Sequence, residues 1–118
     1  MNINGNMVVL DIIFNNTNNI KDLIDNIEYI LEDLDVKIIR KCKHVFPNNG
    51  MTVLYLFSAS HLAIHTWPEY NLVTVDIFTC ANEGNAIEIS NTIIAKYSEC
   101  ISKISINKLP RGKIQEEL

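Results

Sequence analysis

Apolar residues recur along the chain at two spacings, which divide it into strand-like and helix-like segments. Runs rich in β-branched and aromatic residues predict six strands, at residues 7–14, 36–46, 51–57, 61–67, 72–79 and 103–109. Two other stretches repeat their apolar residues every three or four positions and predict amphipathic helices at residues 20–34 and 86–101. Thr17 or Asn18 is expected to cap the first helix. The charged tail after residue 112 is expected to be loose.

The order of these elements, β-α-β-β-β-β-α-β, predicts a fold class. Runs of strands with two helices are typical of an α+β domain with a mostly antiparallel sheet and both helices on one face. Residues 51–57 are nearly all apolar, so we expect a central strand there and a second sheet face covered by another layer or a second subunit. With 118 residues, the chain is expected to form a single domain over residues 1–118.

Charge and composition exclude several classes of protein. A net charge of −4 argues against nucleic-acid binding, which needs a basic surface. No apolar run is long enough to span a membrane, and the N-terminus lacks a signal peptide pattern, so a cytoplasmic location is expected. The three cysteines are far apart and form no CxxC pair, and no acid cluster is suited to a metal, so neither a disulfide nor a metal site is expected.

Candidate chemistry is concentrated around residues 57–80. Ser60 follows an apolar strand directly and is adjacent to His61, and His65 shares a strand face with His61. A half-buried polar strand face explains these residues as readily as a reactive site does. The chain has no GxSxG motif, so a serine hydrolase is a poor fit. Cys80 is either a small buried hydrophobe or a proton donor or acceptor.

Three further residues border predicted loops. Phe46 and Trp67 can pack in the core or stack on a planar ligand. Glu69 can be a solvated turn residue or can accept hydrogen bonds from ligand hydroxyls. The residues alone leave both interpretations open.

Two blocks of sequence carry a family resemblance. Residues 60–70 read SHLAIHTWPEY and residues 75–80 read VDIFTC. Both blocks, at this separation, resemble the prokaryotic-type S-adenosylmethionine decarboxylases. Weaker matches extend the resemblance to Phe46, Gly50 and Thr52 and to residues 111–112, so it covers most of the chain.

The resemblance implies a two-layer sandwich and a self-processing proenzyme. In that family the chain is cut on the amino side of a serine through an oxygen ester, and the serine becomes a pyruvoyl group. Its ketone forms a Schiff base with the substrate amine and accepts electrons as carbon dioxide leaves. By position, Ser60 resembles the pyruvoyl precursor, which implies a β chain of residues 1–59 and an α chain of residues 60–118. His65 then resembles the proton acceptor in processing, and Cys80 the proton donor to the product.

The resemblance also implies a substrate and an assembly. The substrate is S-adenosylmethionine, decarboxylated for spermidine and other polyamines. Phe46 and Trp67 resemble the residues that stack on adenine, and Glu69 the acceptor of ribose hydroxyls. Thr52 stands where a serine assists processing, and its hydroxyl keeps that function. The family assembles as a homodimer of processed αβ units with sites at the interface.

The chain departs from the family pattern at three positions. Ala59 replaces the glutamate usual before the processed serine, Ala81 replaces a glycine, and Met7 lies near a usual histidine. Cleavage by acyl shift needs a strained peptide and a hydroxyl nucleophile rather than a carboxylate. Two alternatives stay open: a pyruvoyl-dependent arginine or ornithine decarboxylase, and an unprocessed, non-catalytic homologue that binds the nucleoside or an active subunit.

Overall fold

The computed structural model describes residues 1–80 and 84–114. In chain order the elements are β1 (Asn2–Phe14), α1 (Asn18–Asp33), β2 (Arg40–Val45), β3 (Met51–Leu56), β4 (His61–Trp67), β5 (Leu72–Thr79), α2 (Ala86–Tyr97) and β6 (Ile101–Lys113). A single 3₁₀ turn, Pro68–Tyr70, joins β4 to β5. The predicted order of strands and helices is therefore confirmed. The polar residues 82–85 predict a break between β5 and α2, and the first two of them lie outside the described residues. Ala81 and the end of the charged tail also lie outside them.

The six strands form one sheet in the order β2-β3-β4-β5-β1-β6, and every pairing is antiparallel. The predicted α+β class is confirmed. β3, expected at the centre of the sheet, lies one strand in from the edge. β1 lies between β5 and β6, so the first strand of the chain pairs with two strands from its second half.

Three strands differ by more than one residue from the prediction. β1 begins at Asn2 rather than at residue 7, because its first residues pair with the end of β6. β2 begins at Arg40 rather than at residue 36, because Val36 is buried beside the end of α1 and its N–H donates to Leu31 O at 2.9 Å. β6 begins at Ile101, which was placed in the helical stripe, and continues to Lys113. It does so because it pairs with β1 along nearly its whole length. Pro110 is compatible with this strand because β6 is an edge strand.

The prediction that the side chain of Thr17 or Asn18 caps α1 is wrong. Thr17 occupies the capping position but makes no side-chain cap hydrogen bond. Its Oγ1 instead lies within hydrogen-bonding distance of Pro68 O and Asn71 Oδ1. The first helical N–H, of Asn18, donates to Asn16 Oδ1 at 2.8 Å. Thr17 therefore fixes the start of α1 to the turn after β4.

One face of the sheet packs against both helices and forms the core. The fully buried residues on this face of the four inner strands alternate with exposed or half-buried ones. They are Val8, Leu10, Ile12, Val53, Tyr55, Leu62, Ile64, Val73, Val75 and Ile77. The helices bury Leu23, Ile27, Leu31, Ile89 and Ile93 against them. Burial of this apolar area, at roughly 25 cal/mol per Å², is the main stabilising contribution to the layer pair.

The second face of the sheet, here called the open face, is not covered by any described part of the chain. Directly paired residues lie on the same face of an antiparallel sheet, so the register defines rows across it. One row is polar on all six strands and consists of His44, Thr52, His65, Thr74, Asp11 and Ser105. Leu54 and Leu56 on the same face are 44% and 42% exposed. The open face thus combines a polar row with solvent-exposed apolar side chains.

The edge strand β2 is attached to α1 through Glu28. Its carboxylate accepts from Lys41 Nζ at 2.7 Å and from the buried Tyr55 Oη at 3.1 Å. The hydrogen bond from Lys41 lowers the pKa of Glu28 below its ordinary value. Burial and the adjacent Glu28 carboxylate raise the pKa of Tyr55, so its phenol keeps its proton and its role as donor.

We expect Glu28→Gln to lower stability at neutral pH by only about 0.5 kcal/mol, because half-exposed ion pairs are screened by solvent. The folded-state pKa of Glu28 is below the reference 4.5, so its contribution is complete above that pH and is lost as pH falls through the folded-state value. Thermal unfolding should therefore separate the variant from wild type at pH 7 and bring them together in acid. A difference of constant size over this range, or an equal effect of Glu32→Gln on the same helix, contradicts this assignment.

Candidate active site

A tight loop of Ser58 and Ala59 joins β3 to β4. The loop is closed by Phe57 N–H, which donates to Ser60 O at 2.8 Å. Phe57 and Ser60 are buried on either side of it, whereas Ser58 and Ala59 are exposed. Ser58 has a φ of +100°, which is unusual for a residue other than glycine. The peptide before Ser60 is therefore presented on a short loop with buried anchors.

Ser60 and Cys80 lie together at this end of the sheet. Cys80 N–H donates to Ser60 Oγ at 3.1 Å, and Cys80 Sγ lies 3.8 Å from Ala59 O. The contact follows from the register of β4 and β5, which pairs His61 with Phe78 and brings the start of one strand to the end of the other. A hydrogen bond donated to Oγ favours negative charge on that oxygen during nucleophilic attack. We call Ala59, Ser60 and Cys80 the processing end.

The other predicted residues gather at the opposite end of β4. Thr52 and His65 are paired in register, and Thr52 Oγ1 lies 3.0 Å from His65 Nδ1. The His65 ring centroid is 6.2 Å from that of Trp67. A cavity of about 500 Å³ is lined by Phe46, Pro47, Asn48, Gly50, Met51, Thr52, His65, Thr66 and Trp67. We call this group, with the adjacent Glu69, the cavity end.

Asn48 connects Glu69 to this cavity. Its Nδ2 donates to Glu69 Oε2 at 2.8 Å, and its Oδ1 accepts from Gly50 N–H at 3.0 Å. Gly50 is required here because a Cβ would lie 2.9 Å from Thr66 O. The composition of residues 47–50 predicts the turn but gives no indication that its side chain orients a carboxylate across the loop.

The structure separates the predicted catalytic residues into these two ends. Ser60 and His65 are five positions apart on one strand, which corresponds to roughly 16 Å at about 3.3 Å per residue. Proximity in the sequence groups them in one short stretch, but the extended strand separates them. Within a single chain, His65 is therefore a neighbour of Thr52 and Trp67, whereas Ser60 is a neighbour of Cys80.

In residues 1–80 and 84–114, no three His, Cys, Asp or Glu side chains are close enough to hold a metal ion. No helix in the described part of the chain is long and apolar enough to cross a membrane. Cys42, Cys80 and Cys100 are all free thiols. The chemistry available at the two ends is that of a serine, a thiol, an imidazole and a carboxylate.

A model of the S-adenosylmethionine decarboxylase family matches residues 8–112. The chain belongs to this family. The match includes both ends of the site and all of the sheet except residues 2–7 of β1 and Lys113 of β6. The family is pyruvoyl-dependent, and its cofactor is formed from a serine of the proenzyme. The predictions of the family, of a decarboxylase and of a pyruvoyl cofactor are confirmed by this family match.

Individual relatives agree with the family match. A protein from Clostridium botulinum (strain Loch Maree / Type A3), named S-adenosylmethionine decarboxylase proenzyme, is 34% identical over 119 residues and covers 97% of this chain and 99% of its own. A protein of the same name from Aquifex aeolicus is 35% identical over 103 residues, covering 81% and 75%. The crystal structure of the adenosylmethionine decarboxylase from Aquifex aeolicus has a TM-score of 0.81 at 25% identity, covering 100% of this chain and 98% of the other. The predicted two-layer fold is confirmed by this similarity.

Proposed function

We propose that this chain is cut between Ala59 and Ser60 and then decarboxylates S-adenosylmethionine for spermidine synthesis. The observation that carries the proposal is the contact of Ser60 Oγ with Cys80 N–H, next to the peptide carbonyl of Ala59. Ser60 is 1% exposed, so a group formed from it is shielded from water. A pyruvoyl group there supplies a ketone that binds the substrate amine and accepts electrons as carbon dioxide leaves.

The protein's own residues have distinct roles in this proposal. Ser60 Oγ is the nucleophile of processing, and Cys80 N–H orients it. The Cys80 thiol, near the same carbonyl, is positioned to deliver a proton to the product carbon in each turnover. A thiol with this role must stay reduced, which favours the cytoplasm as its location.

The pairing of the strands supports a stable processed form. Cleavage yields a β chain of residues 1–59 with β1, β2 and β3, and an α chain of residues 60–118 with β4, β5 and β6. β3 pairs with β4, and β1 pairs with both β5 and β6. Three of the five strand pairings therefore join the two pieces, so the sheet remains continuous after the cut.

We expect the mass spectrum of the purified protein to show two fragments, residues 1–59 and residues 60–118, the second with a pyruvoyl group in place of Ser60. Ser60→Ala should give the intact chain because it lacks the nucleophile. A single intact mass for the wild-type protein after long incubation contradicts the proposal and favours a non-catalytic homologue.

We further propose a homodimer in which each site is shared between two protomers. One chain does not bring the cavity end to Ser60, and its open face carries the exposed Leu54, Leu56 and Trp67. Two copies can pack open face to open face about a two-fold axis that runs across the strands near Ala63. With this rotation, the processing end of each chain lies opposite the cavity end of the second copy, which includes Thr52 and His65. The apolar side chains become buried in the same contact.

A mixing experiment tests the shared site. His65→Ala and Ser60→Ala are each expected to remain uncut when expressed alone. When the two are co-expressed, a heterodimer combines Ser60 of one chain with His65 of the other, so about half of the His65→Ala chains should be cleaved after random pairing. A mass tag on one variant identifies the cleaved chain. If the His65→Ala chain stays intact in the mixture, the site is not shared in this way.

The cavity end supports S-adenosylmethionine as the substrate. Phe46 and Trp67 border a space of about 500 Å³ and offer rings on which adenine can stack. Glu69, oriented by Asn48, offers carboxylate oxygens to ribose hydroxyls. Ornithine has no planar side-chain group for the two rings, and arginine has a guanidinium but no ribose hydroxyls for Glu69.

Carbon dioxide release should be seen from carboxyl-labelled S-adenosylmethionine and not from arginine or ornithine. Asn48→Ala should raise KM about tenfold, because a hydrogen bond to a charged group contributes roughly 1.5 kcal/mol or more. Glu69→Gln should act in the same direction, whereas Asn91→Ala, on the exposed side of α2, should leave KM unchanged. Release from arginine or ornithine alone reverses the substrate assignment.

A further inference from the structure

The loop that carries the peptide to be cut holds Ser58 in an unfavourable backbone conformation. Its φ of +100° lies in a region that glycine adopts freely and side-chain-bearing residues rarely adopt. Two-residue hairpin loops with positive φ at their first position normally place glycine there. Ser58 is exposed, so burial of its side chain gives no reason for this conformation.

The strain is maintained by the residues on both sides of the loop. Phe57 and Ser60 are 4% and 1% exposed and are joined by the hydrogen bond from Phe57 N–H to Ser60 O. Ser60 is also fixed by Cys80 N–H, and β3 and β4 continue in register away from the loop. Two residues must therefore span a distance fixed by the sheet. Ser58 cannot reach a negative φ without moving a buried anchor.

We propose that Ser58 is a positioning residue whose strained backbone drives self-cleavage at the Ala59–Ser60 peptide. The inference rests on the proposed function and adds a source of driving force to it. Position 59 is an alanine in this chain and supplies no carboxylate, so the geometry of the loop is the local feature that distinguishes this peptide from others.

The chemistry of the acyl shift explains how the strain is released. Ser60 Oγ forms a bond to the carbonyl carbon of Ala59, the bond from that carbon to Ser60 N breaks, and the hydroxyl proton is transferred to the nitrogen, which becomes an amine. The chain from the Ala59 carbonyl carbon to Ser60 Cα then runs through Oγ and Cβ instead of through N. The loop is longer by one atom, and Ser58 can return to a negative φ.

Release of the strain in the loop offsets part of the free-energy difference that normally favours an amide over an ester. In an unstrained peptide the shift from nitrogen to oxygen is unfavourable, because the ester lacks amide resonance. A strained reactant and a relaxed product reduce that difference. The strain thus acts on the step that commits Ser60 to processing.

Cleavage of newly translated protein, followed by intact mass in quenched samples, tests the inference. Ser58→Gly adopts φ of +100° without strain and should be cleaved between about 5-fold and 100-fold more slowly, the factor that corresponds to the usual cost of one such residue. Ser58→Ala keeps the strain, loses the hydroxyl and should be cleaved at the wild-type rate.

Two controls separate strain from flexibility and from a general effect of glycine. A semisynthetic chain with D-alanine in place of Ser58 relaxes φ without loosening the loop. After refolding, it should be slower than a semisynthetic wild-type chain by the same factor as Ser58→Gly. Asp35→Gly relieves a positive φ of 58° between α1 and β2, away from the site, and should be cleaved at the wild-type rate.

The outcomes distinguish this inference from the proposed function. If wild type is cleaved and Ser58→Gly matches its rate, the role of strain is overturned and the decarboxylase assignment stands. Slow cleavage of Ser58→Ala assigns the effect to the hydroxyl and also overturns it. If wild type is never cleaved, the proposed function fails, and this inference fails with it.

Discussion

The antiparallel register of β3, β4 and β5 is the constraint on which the site depends. It places Thr52 opposite His65 on one side and His61 opposite Phe78 on the other. A shift of one residue between two of these strands would move His65 to the helix face and separate Ser60 from Cys80. The core on the helix face fixes this register, because the same shift would expose Leu62 and Ile64. Packing on one side of the sheet thus sets the chemistry on the other.

The sequence predicted the elements well because burial repeats along the chain with a regular period. Alternation located β4 and β5 to the residue, and the helical stripe located α1 within two positions. Length was predicted less well where it depends on a distant partner. Nothing within residues 101–113 indicates that β6 pairs with nearly all of β1. Pro110 favours a strand that ends before it, but β6 is an edge strand, where proline is tolerated.

The candidate site was predicted as a set of residues but not as an arrangement. Ser60 and His65 belong to the same sequence motif, but the extended backbone of β4 holds their side chains far apart in one chain. Asn48 and Ser58 were missed for a different reason. The role of Asn48 depends on a hydrogen bond across two loops, and that of Ser58 on a backbone angle that serine rarely adopts. Neither property has a local pattern in the amino-acid sequence.

The position of β1 between β5 and β6 has a consequence for the order of folding and processing. In the intact chain these pairings close within one molecule, so assembly of the sheet is unimolecular. After the proposed cut before Ser60, the same pairings have to form between two separate polypeptides, and the rate depends on their concentration. Folding must therefore precede the cut. A mature molecule that unfolds has to refold without the covalent link that joined its two pieces in the proenzyme. The proenzyme form acts as the folding template, and maturation is irreversible in a structural as well as a chemical sense.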